Sequence, residues 1–247
     1  MKHLIAAALS TVTLALPLAA QAQDRVFSVD IGGGVSAAPT YPGADDVEAG
    51  PWLIWRNAGI STSGGDEGRA EGFSISPSFG TVGEREPGDD PALAGLGEID
   101  RAYELGAKAS YTGGPVTGYM ALRKGFGGHD GVVGEAGVKY RTDASDRLSL
   151  WSGLELGYGD DSYNQTYFGI GAADATASGY APYDAGGGIN RVAAKLEARY
   201  SLNENTAILG EIEYGRLIGD AGDSPLVQDR DQPAVRLGIV RNFSFGF

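Results

Sequence analysis

The stretch Pro233–Phe247, which reads Pro-Ala-Val-Arg-Leu-Gly-Ile-Val-Arg-Asn-Phe-Ser-Phe-Gly-Phe, has a strict two-residue period. Counting back from Phe247, every second side chain is aromatic or aliphatic except Arg241, whereas the alternate positions are small or polar, with Arg236 among them. Period two predicts a β-strand, because successive side chains leave a strand on opposite sides. A long strand with an aromatic end is typical of the closing strand of a bacterial outer-membrane β-barrel, although an edge strand of a soluble sandwich alternates in the same way.

The carboxy-terminal aromatic residues form a candidate signal. Barrels of this class commonly end in a Phe that the barrel-assembly machinery recognises when it inserts the protein into the outer membrane. We assign that signal to Phe243, Phe245 and Phe247.

The composition narrows the class of protein. The chain has 247 residues, 40 Gly, no Cys and a net charge of −13. Absent Cys excludes a disulfide framework and a Cys-based metal site. The net negative charge argues against binding of nucleic acid, because a protein that binds nucleic acid needs a basic face. The length suits one all-β domain.

The first 22 residues predict a secretory signal peptide. Lys2 is followed by the apolar stretch Leu4–Leu16, and Ala20-Gln21-Ala22 is a small-x-small cleavage site. The apolar stretch is shorter than the ~20 residues that a membrane-spanning helix needs. We therefore divide the chain into a signal peptide, 1–22, and a barrel, 23–247.

The remaining chain repeats the alternation of the last strand. In the segment Arg101–Tyr111, apolar side chains alternate with polar or small ones, and Tyr103 and Tyr111 stand at its two ends. In transmembrane barrels aromatic residues line both membrane interfaces, so a strand that crosses the membrane often has a Tyr at each end of its apolar stretch. Predicted strands of about ten to thirteen residues suit a tilted bilayer crossing better than the usual five or six.

Loop lengths indicate the topology. Long loops are predicted at 37–47, 81–100, 125–131, 159–188 and 219–232, separated by short turns, as extracellular loops alternate with periplasmic turns. Taking Glu48–Ser63 as one strand gives an antiparallel transmembrane β-barrel of ten strands with both termini in the periplasm. Splitting that strand at Asn57 and making Tyr163–Ile170 a strand gives twelve. The regular alternation of long loops and short turns favours ten strands.

The inward face carries charges of both signs that nearly balance. In a ten-stranded barrel they would cross a narrow interior as a salt-bridged plug, whereas a twelve-stranded barrel would leave room for water and a narrow channel. These predicted interior residues are Asp30, Glu104, Lys108, Glu135, Lys139, Glu155, Arg191, Lys195, Glu197, Arg199, Glu211, Glu213 and Arg236.

No catalytic, cofactor or metal site is predicted. His129-Asp130 is the one acid–imidazole neighbour pair after the signal peptide, but the surrounding glycines favour a flexible hairpin tip over a general base. The pairs Asp45-Asp46, Asp89-Asp90 and Asp160-Asp161 offer oxygen ligands for Ca²⁺, or for a bridge to lipopolysaccharide phosphates. None has the spacing of a defined calcium loop, so solvated turns are favoured.

The longest loop contains a distinctive set of motifs. They are a Tyr-x-x-x-Tyr-Phe-Gly segment, an Ala-rich stretch that ends in Ser-Gly, and a Tyr before Gly-rich residues, formed by Tyr163, Tyr167, Phe168, Gly169, Ser178, Gly179 and Tyr183. This set resembles the signature of the MipA/OmpV family of outer-membrane proteins. Further similar pieces lie at 39–43, 94–100, 127–131 and 216–227. One departure is Ile170, where the family usually has Val.

The resemblance implies an outer-membrane barrel in a Gram-negative bacterium, surrounded by lipid and lipopolysaccharide. It also implies a non-enzymatic scaffold that joins a lytic transglycosylase to a murein synthase in peptidoglycan remodelling. A narrow porin-like channel or a surface adhesin remains the alternative. No catalytic residue and no cofactor come with the resemblance.

Overall fold

The structure, a computed structural model, describes residues 26–61 and 71–246. It is built on ten β-strands. They are β1 (Val26–Pro39), β2 (Val47–Ser61), β3 (Gly72–Val82), β4 (Ala102–Gly113), β5 (Val116–Gly127), β6 (Val132–Asp143), β7 (Leu148–Gly159), β8 (Gly188–Asn203), β9 (Thr206–Leu217) and β10 (Asp231–Gly246). The predicted signal peptide and Phe247 lie outside the described residues.

The strands form one antiparallel sheet in the order β2-β1-β10-β9-β8-β7-β6-β5-β4-β3. The prediction of an all-β fold with ten strands is confirmed. The twelve-strand alternative is wrong, because β2 runs unbroken through position 57 and residues 163–168 belong to a helix. The first and last strands pair along twelve positions, from Val26 opposite Gly246 to Ala37 opposite Val235.

The outer face of the sheet is apolar. Tyr103 and Tyr111 are 59% and 64% exposed at the two ends of β4, and Leu105 between them is 51% exposed. On β10 the exposed side chains include Val235 and Leu237. Such a face fits lipid and not water, because it is a continuous apolar surface of the kind that soluble monomers bury.

The two end strands of the sheet, β2 and β3, approach each other. The rings of Trp55 in β2 and Phe79 in β3 meet edge to face with centroids 5.8 Å apart. Within residues 26–61 and 71–246, no backbone ladder joins these strands. Pro51 and Pro77, which lack a backbone N–H, lie on these two strands, where proline is tolerated in a sheet.

The two ends of the sheet differ in their connections. One end, the turn end, carries both termini of the sheet and the short turns 114–115, 144–147 and 204–205. The other, the loop end, carries the connections 40–46, 83–101, 128–131, 160–187 and 218–230. Four of the five predicted long loops are confirmed, with boundaries that differ by a few residues. The long loop predicted at 125–131 is wrong, because β5 continues to Gly127 and leaves a connection of only four residues, 128–131.

Within the described residues, the loop end also contains three α-helices and a short 3-10 helix, Pro91–Leu93, that the alternation could not predict. The α-helices are α1 (Asp161–Phe168), α2 (Ala172–Ser178) and α3 (Gly219–Gly222). Asp160 caps α1, accepting a hydrogen bond from the backbone N–H of Tyr163 at 2.9 Å. None of the helices in the described residues is long and apolar enough to cross a membrane.

Candidate functional site

A network of ion pairs fills the middle of the sheet's inner face. It contains six basic and six acidic side chains from β2, β4, β5, β6, β7, β8, β9 and β10, so its charges balance. Its members are Arg56, Glu104, Arg123, Glu135, Lys139, Glu155, Arg191, Lys195, Glu197, Glu211, Glu213 and Arg236. Ion pairs connect nine of these side chains in one group, and Arg123 pairs separately with Glu104 and Glu135.

Glu155 on β7 shows how tightly this interior network is bonded. Its side chain is 2% exposed and accepts hydrogen bonds from the hydroxyl of Tyr119 at 2.6 Å, from Arg191 at 2.9 Å and from Lys195 at 2.8 Å. Arg191 and Lys195 also contact Glu213 on β9. A buried charge needs such compensation, since an isolated ion in the interior is strongly disfavoured.

Two further groups lie nearer the turn end. Arg199 on β8 donates a hydrogen bond of 2.6 Å to Asp30 on β1, and Asp30 is fully buried. Ile54, Ala207, Leu209 and Val240 form a small apolar cluster on the inner face. Toward the turn end the interior is therefore filled by this apolar cluster together with the Arg199–Asp30 pair.

The structure places all the predicted interior residues on this inner face. Twelve of them make ion pairs with each other or with the two arginines described below. Lys108 instead lies over the ring of Tyr119, with its Nζ 4.2 Å from the ring centroid.

Sequence reasoning missed Arg56 and Arg123, which are hubs of the interior network. Arg123 contacts Glu104 at 2.8 Å and also Glu135, while Arg56 contacts Glu211 at 2.7 Å and also Glu197. The alternation of β5 could have revealed Arg123, since its neighbour Leu122 faces outward. Arg56 was hidden because β2 is apolar on both faces, with Ile54 buried and Leu53 exposed.

The network leaves little open space. A cavity of about 10 Å³ lies within it, lined by Tyr119, Lys139, Trp151, Gly153, Lys195, Glu197 and Glu211. A cavity of this volume has room for about one water molecule and is too small for an organic ligand.

Loops cover the interior network at the loop end and pack on each other. One apolar cluster joins three of these loops with the end of α1. Its buried members are Tyr41, Ala44, Leu93, Leu96, Ile170 and Leu226. A second cluster, which includes the last two residues of α1, contains Tyr167, Phe168, Ala185, Leu217 and Ala221. We call these loops, with both clusters and the three α-helices, the loop cap.

The family-signature residues lie at the centre of the loop cap. Tyr163, Tyr167 and Phe168 lie on α1, and Gly169 ends that helix. Ser178 ends α2, and Gly179 follows it in the left-handed conformation with φ +81°. Tyr183 pairs with Ile170 in an isolated β-bridge and donates a hydrogen bond of 2.7 Å to the carbonyl of Asp220.

His129 is buried, so the expectation of a flexible hairpin tip is wrong for this residue. Its side chain is wholly buried against the rings of Tyr163 and Tyr167, with centroids 5.0 and 5.6 Å away. Its Nε2 lies 3.4 Å from Glu104 Oε1 without hydrogen-bond geometry. Asp130 points away to the hydroxyl of Ser162. The two residues thus do not form an acid–base pair.

Two of the three acidic pairs meet in the loop cap. Single carboxylate oxygens of Asp45, Asp46 and Asp90 all lie within 4.8 Å of one another. Asp160 instead caps α1, and Asp161 accepts a hydrogen bond from the backbone of Gly187.

On the closing strand, Phe243 and Phe245 lie on the outer face and are 39% and 57% exposed. The guanidinium carbon of Arg241 lies 5.8 Å from the ring centroid of Phe243. This contact gives the charge of Arg241 on the apolar face an aromatic neighbour.

Residues 31–243 match the family described as MltA-interacting protein MipA. Over 114 residues the chain is 30% identical to YiaT of Escherichia coli (strain K12), a protein whose name assigns it to the outer membrane. That match covers 46% of this chain and 46% of YiaT, so the chain spans about half the length of the curated relatives it matches.

Two solved structures of other proteins align with most of this chain. The KdgM porin, in complex with disordered oligogalacturonate, aligns with 87% of this chain and 99% of its own at 13% identity and a TM-score of 0.38. Ail, the attachment invasion locus protein of Yersinia pestis, aligns with 90% of this chain and 99% of its own at 13% identity and a TM-score of 0.29.

Proposed function

Since this chain belongs to the MltA-interacting protein MipA family and is an outer-membrane β-barrel, we propose that it is a non-enzymatic scaffold of murein remodelling. Its partner would be a lytic transglycosylase, with a murein synthase as a second partner. The family's description names an interaction with MltA, and this supports the first partner.

The observation that carries the proposal is the filled interior. The interior network crosses the barrel with balanced, paired charges, and the loop cap covers it from the loop end. A general porin needs a wide aqueous lumen, which belongs to barrels of about sixteen strands or more. The filled interior therefore favours a role for the outer surfaces over a role in solute transport.

The turn end is the surface on which a periplasmic partner would bind. In barrels of this class short turns face the periplasm. The turn 144–147 exposes Asp146 and Arg147, and the turn 204–205 exposes Glu204. A stable complex buries about 800 Å² on each partner. A partner must therefore contact several of these turns together.

Photo-crosslinking in cells tests the scaffold. A photoreactive amino acid replaces Arg147 or Glu204 at the turn end, or Asp89 at the loop end as a matched control. We expect crosslinks to a murein hydrolase or synthase from both turn positions and none from position 89. Crosslinks to neither enzyme from either turn, in cells that express both enzymes, would rule the scaffold out.

Conductance separates the scaffold from a channel. We expect the purified protein in a planar bilayer to show no steady ion current, because the interior network and the loop cap block the barrel. A steady current would favour the narrow porin-like channel instead.

A further inference from the structure

His129 lies where the loop cap meets the interior network. It belongs to the connection 128–131, and its side chain is wholly buried. Its Nε2 lies 3.4 Å from Oε1 of Glu104 on β4, which is within the distance of an ion pair. The rings of Tyr163 and Tyr167 on α1 pack against the same imidazole. One side chain therefore contacts both the cap and the barrel wall.

Both ring nitrogens of His129 lack a hydrogen-bond partner. Nδ1 and Nε2 are buried and bond to nothing within residues 26–61 and 71–246, and the same holds for the hydroxyl of Tyr167. A neutral imidazole has one N–H donor and one acceptor nitrogen, so both are left unsatisfied here. Buried polar atoms without a partner are exceptions that call for an explanation. The neutral form of His129 is therefore poorly matched to its surroundings.

Glu104 has one oxygen engaged and one oxygen near His129. Its Oε2 accepts a hydrogen bond of 2.8 Å from Nε of Arg123, whereas it is Oε1 that lies near the imidazole. Arg123 also pairs with Glu135, so one cation stands against two carboxylates in this separate group of the network. A protonated His129 would supply the positive charge that this group lacks.

The backbone of β5 holds the imidazole in place. A Cβ at Gly125 would lie 2.1 Å from Cε1 and 2.3 Å from Nδ1 of His129, so the ring occupies the space that a side chain would take there. The N–H of Gly125 donates to the carbonyl of Gly131 at 2.9 Å and closes the loop around the ring. Lys124, the next residue on β5, is exposed and does not face the ring. The fold itself thus presents the imidazole to Glu104.

Three other charged groups lie close by but are engaged elsewhere. Asp130 is exposed and bonds to the hydroxyl of Ser162, and Asp160 caps α1. From the connection 83–101, Arg85 donates a hydrogen bond of 2.9 Å to the carbonyl of Tyr167. Within the described chain, none of these three groups forms an ion pair with the imidazole.

We propose that His129 is an acid-operated latch that fastens the loop cap to the barrel. In the protonated form its Nε2–H donates to Oε1 of Glu104, and this ion pair ties the connection 128–131, with α1 packed on it, to β4. In the neutral form the pair is absent, and apolar contacts alone hold the cap at this point.

The sign of the pH dependence follows from the pair. Histidine is the side chain that ordinarily changes charge between about pH 5 and 8. Burial raises the pKa of both phenols that pack on the ring, that of Tyr167 to about 12, so Tyr163 and Tyr167 stay neutral in this range. The closed cap offers the proton a carboxylate partner that an open cap does not, so closure is favoured as the pH falls. Because long loops of such barrels face the outside, the latch would respond to the acidity of the medium.

Hydrogen exchange of α1 tests the latch. The barrel is purified from outer membranes in detergent, and exchange in peptides that cover 160–168 is measured by mass spectrometry at pH 5.5 and 7.5, corrected for the intrinsic pH dependence of amide exchange. We expect α1 to be at least about fivefold better protected at pH 5.5, because hydrogen bonds to charged groups are the strong ones. His129 is the one histidine after the predicted signal peptide, so proton NMR of its imidazole can follow its protonation. The protonation curve and the protection curve should coincide.

Two variants remove the latch in different ways. His129→Gln replaces the imidazole by an amide that cannot be charged, and Glu104→Gln removes the anion but keeps the imidazole. Both should lose the pH dependence of α1 protection. Asp130→Asn is the matched control, since it removes a charge from the same loop without changing the pair, and it should keep the wild-type pH dependence.

His129→Gln decides the test alone should Glu104→Gln fail to fold, which could follow because Arg123 loses a partner. The proposal is overturned by equal protection of α1 at the two pH values in the wild type. It is equally overturned by a pH dependence in His129→Gln that matches that of the wild type.

Discussion

Glu155 connects three strands of the barrel through its carboxylate. It pairs with Arg191 and Lys195 on β8 and accepts a hydrogen bond from Tyr119 on β5. Because a carboxylate can accept from several donors at once, this one residue satisfies two partly buried cations and a buried hydroxyl. Glu155 therefore stabilises the barrel by satisfying its partners, since a charge or hydroxyl that is taken out of water without a partner raises the free energy of the folded state.

We predict that Glu155→Ala lowers the free energy of unfolding by about 3–5 kcal/mol, the usual cost of breaking a buried ion pair from one side. Urea unfolding of the refolded barrel, followed by tryptophan fluorescence, measures the loss. Asp223→Ala is the control, because its ion pair with Arg230 is exposed and such pairs contribute about 0–1 kcal/mol. Equal losses in the two variants would contradict the prediction.

Neighbouring glycines on β1 differ in what surrounds them. A Cβ at Gly32 would lie 2.1 Å from the carbonyl oxygen of Ile239 on β10, closer than any real contact. A Cβ at Gly33 would lie 3.8 Å from the carbonyl oxygen of Trp52, an ordinary van der Waals distance. Part of the high glycine content is thus explained by close backbone approach on the inner face.

We predict that Gly32→Ala destabilises the barrel by at least about 1–3 kcal/mol, because the clashing atom is backbone and cannot rotate away. Gly33→Ala should leave stability unchanged within about 0.5 kcal/mol. The unfolding midpoint in urea compares the two variants. A result in which both variants unfold alike would show that the β1–β10 interface can relax.

At the level of single residues, the sequence predicts which side chains face inward but not which ones pair. Period two determines the face, and it correctly separates Glu211 and Glu213 from Ile212. Pairing partners depend on how far the sheet curls. Arg56 on β2 reaches Glu197 on β8, and no local pattern encodes that contact.

At the level of elements, strands are predictable and the loop cap is not. Each strand repeats its two-residue period over ten or more residues, whereas α1 and α2 contain only eight and seven residues, too few to show a clear helical period. The segment Tyr163–Ile170 is rich in residues that favour strands, which explains the twelve-strand alternative. Capping by Asp160 and packing of Tyr167 and Phe168 under neighbouring loops overrule that preference.

The loop cap should weaken at alkaline pH. Burial raises the pKa of Tyr41 and of Tyr167 to about 12, helped by the charge of Asp90 for the first and of Glu104 for the second. An unfolded tyrosine ionises near pH 10. Between about pH 10 and 12 the unfolded chain therefore loses protons that the folded cap retains, so stability falls as the pH rises through this interval. Below pH 10 this contribution is fully present.

Absorbance of phenolate at 295 nm, followed from pH 9 to 13, measures this effect. We expect a late-titrating fraction in the folded protein, and Tyr41→Phe and Tyr167→Phe should each remove one tyrosine from it. After denaturation in urea all tyrosines should titrate together. A single early transition in the folded wild type would disprove the retention of these protons.

At the level of the whole molecule, the interior and exterior are inverted relative to a soluble protein. Paired charges lie inside, and Leu, Val, Phe and Tyr side chains lie outside. This inversion was predictable, because alternation together with a net charge near zero on the inner face leaves few other folds. The seam between β2 and β3 was not predictable, since sheet curvature is set by all ten strands together.

We predict that the folded barrel resists SDS at room temperature and migrates faster on a gel than the boiled chain, because continuous antiparallel ladders resist unfolding without heat. Semi-native electrophoresis of outer-membrane fractions provides the measurement. Identical mobility before and after boiling would be evidence against a stable barrel in the membrane.

The pairing of β1 with β10 has a kinetic consequence. Val26 lies opposite Gly246, so this ladder brings together residues from the two ends of the described chain. Contacts between residues so distant in sequence form slowly, since the long intervening loop of chain must be closed first. Until the last strand has left the ribosome and crossed the inner membrane, β1 has β2 on one side and no partner on the other. The chain must therefore be kept from aggregating during that interval, and pairing of β1 with β10 is the step that covers this edge of β1.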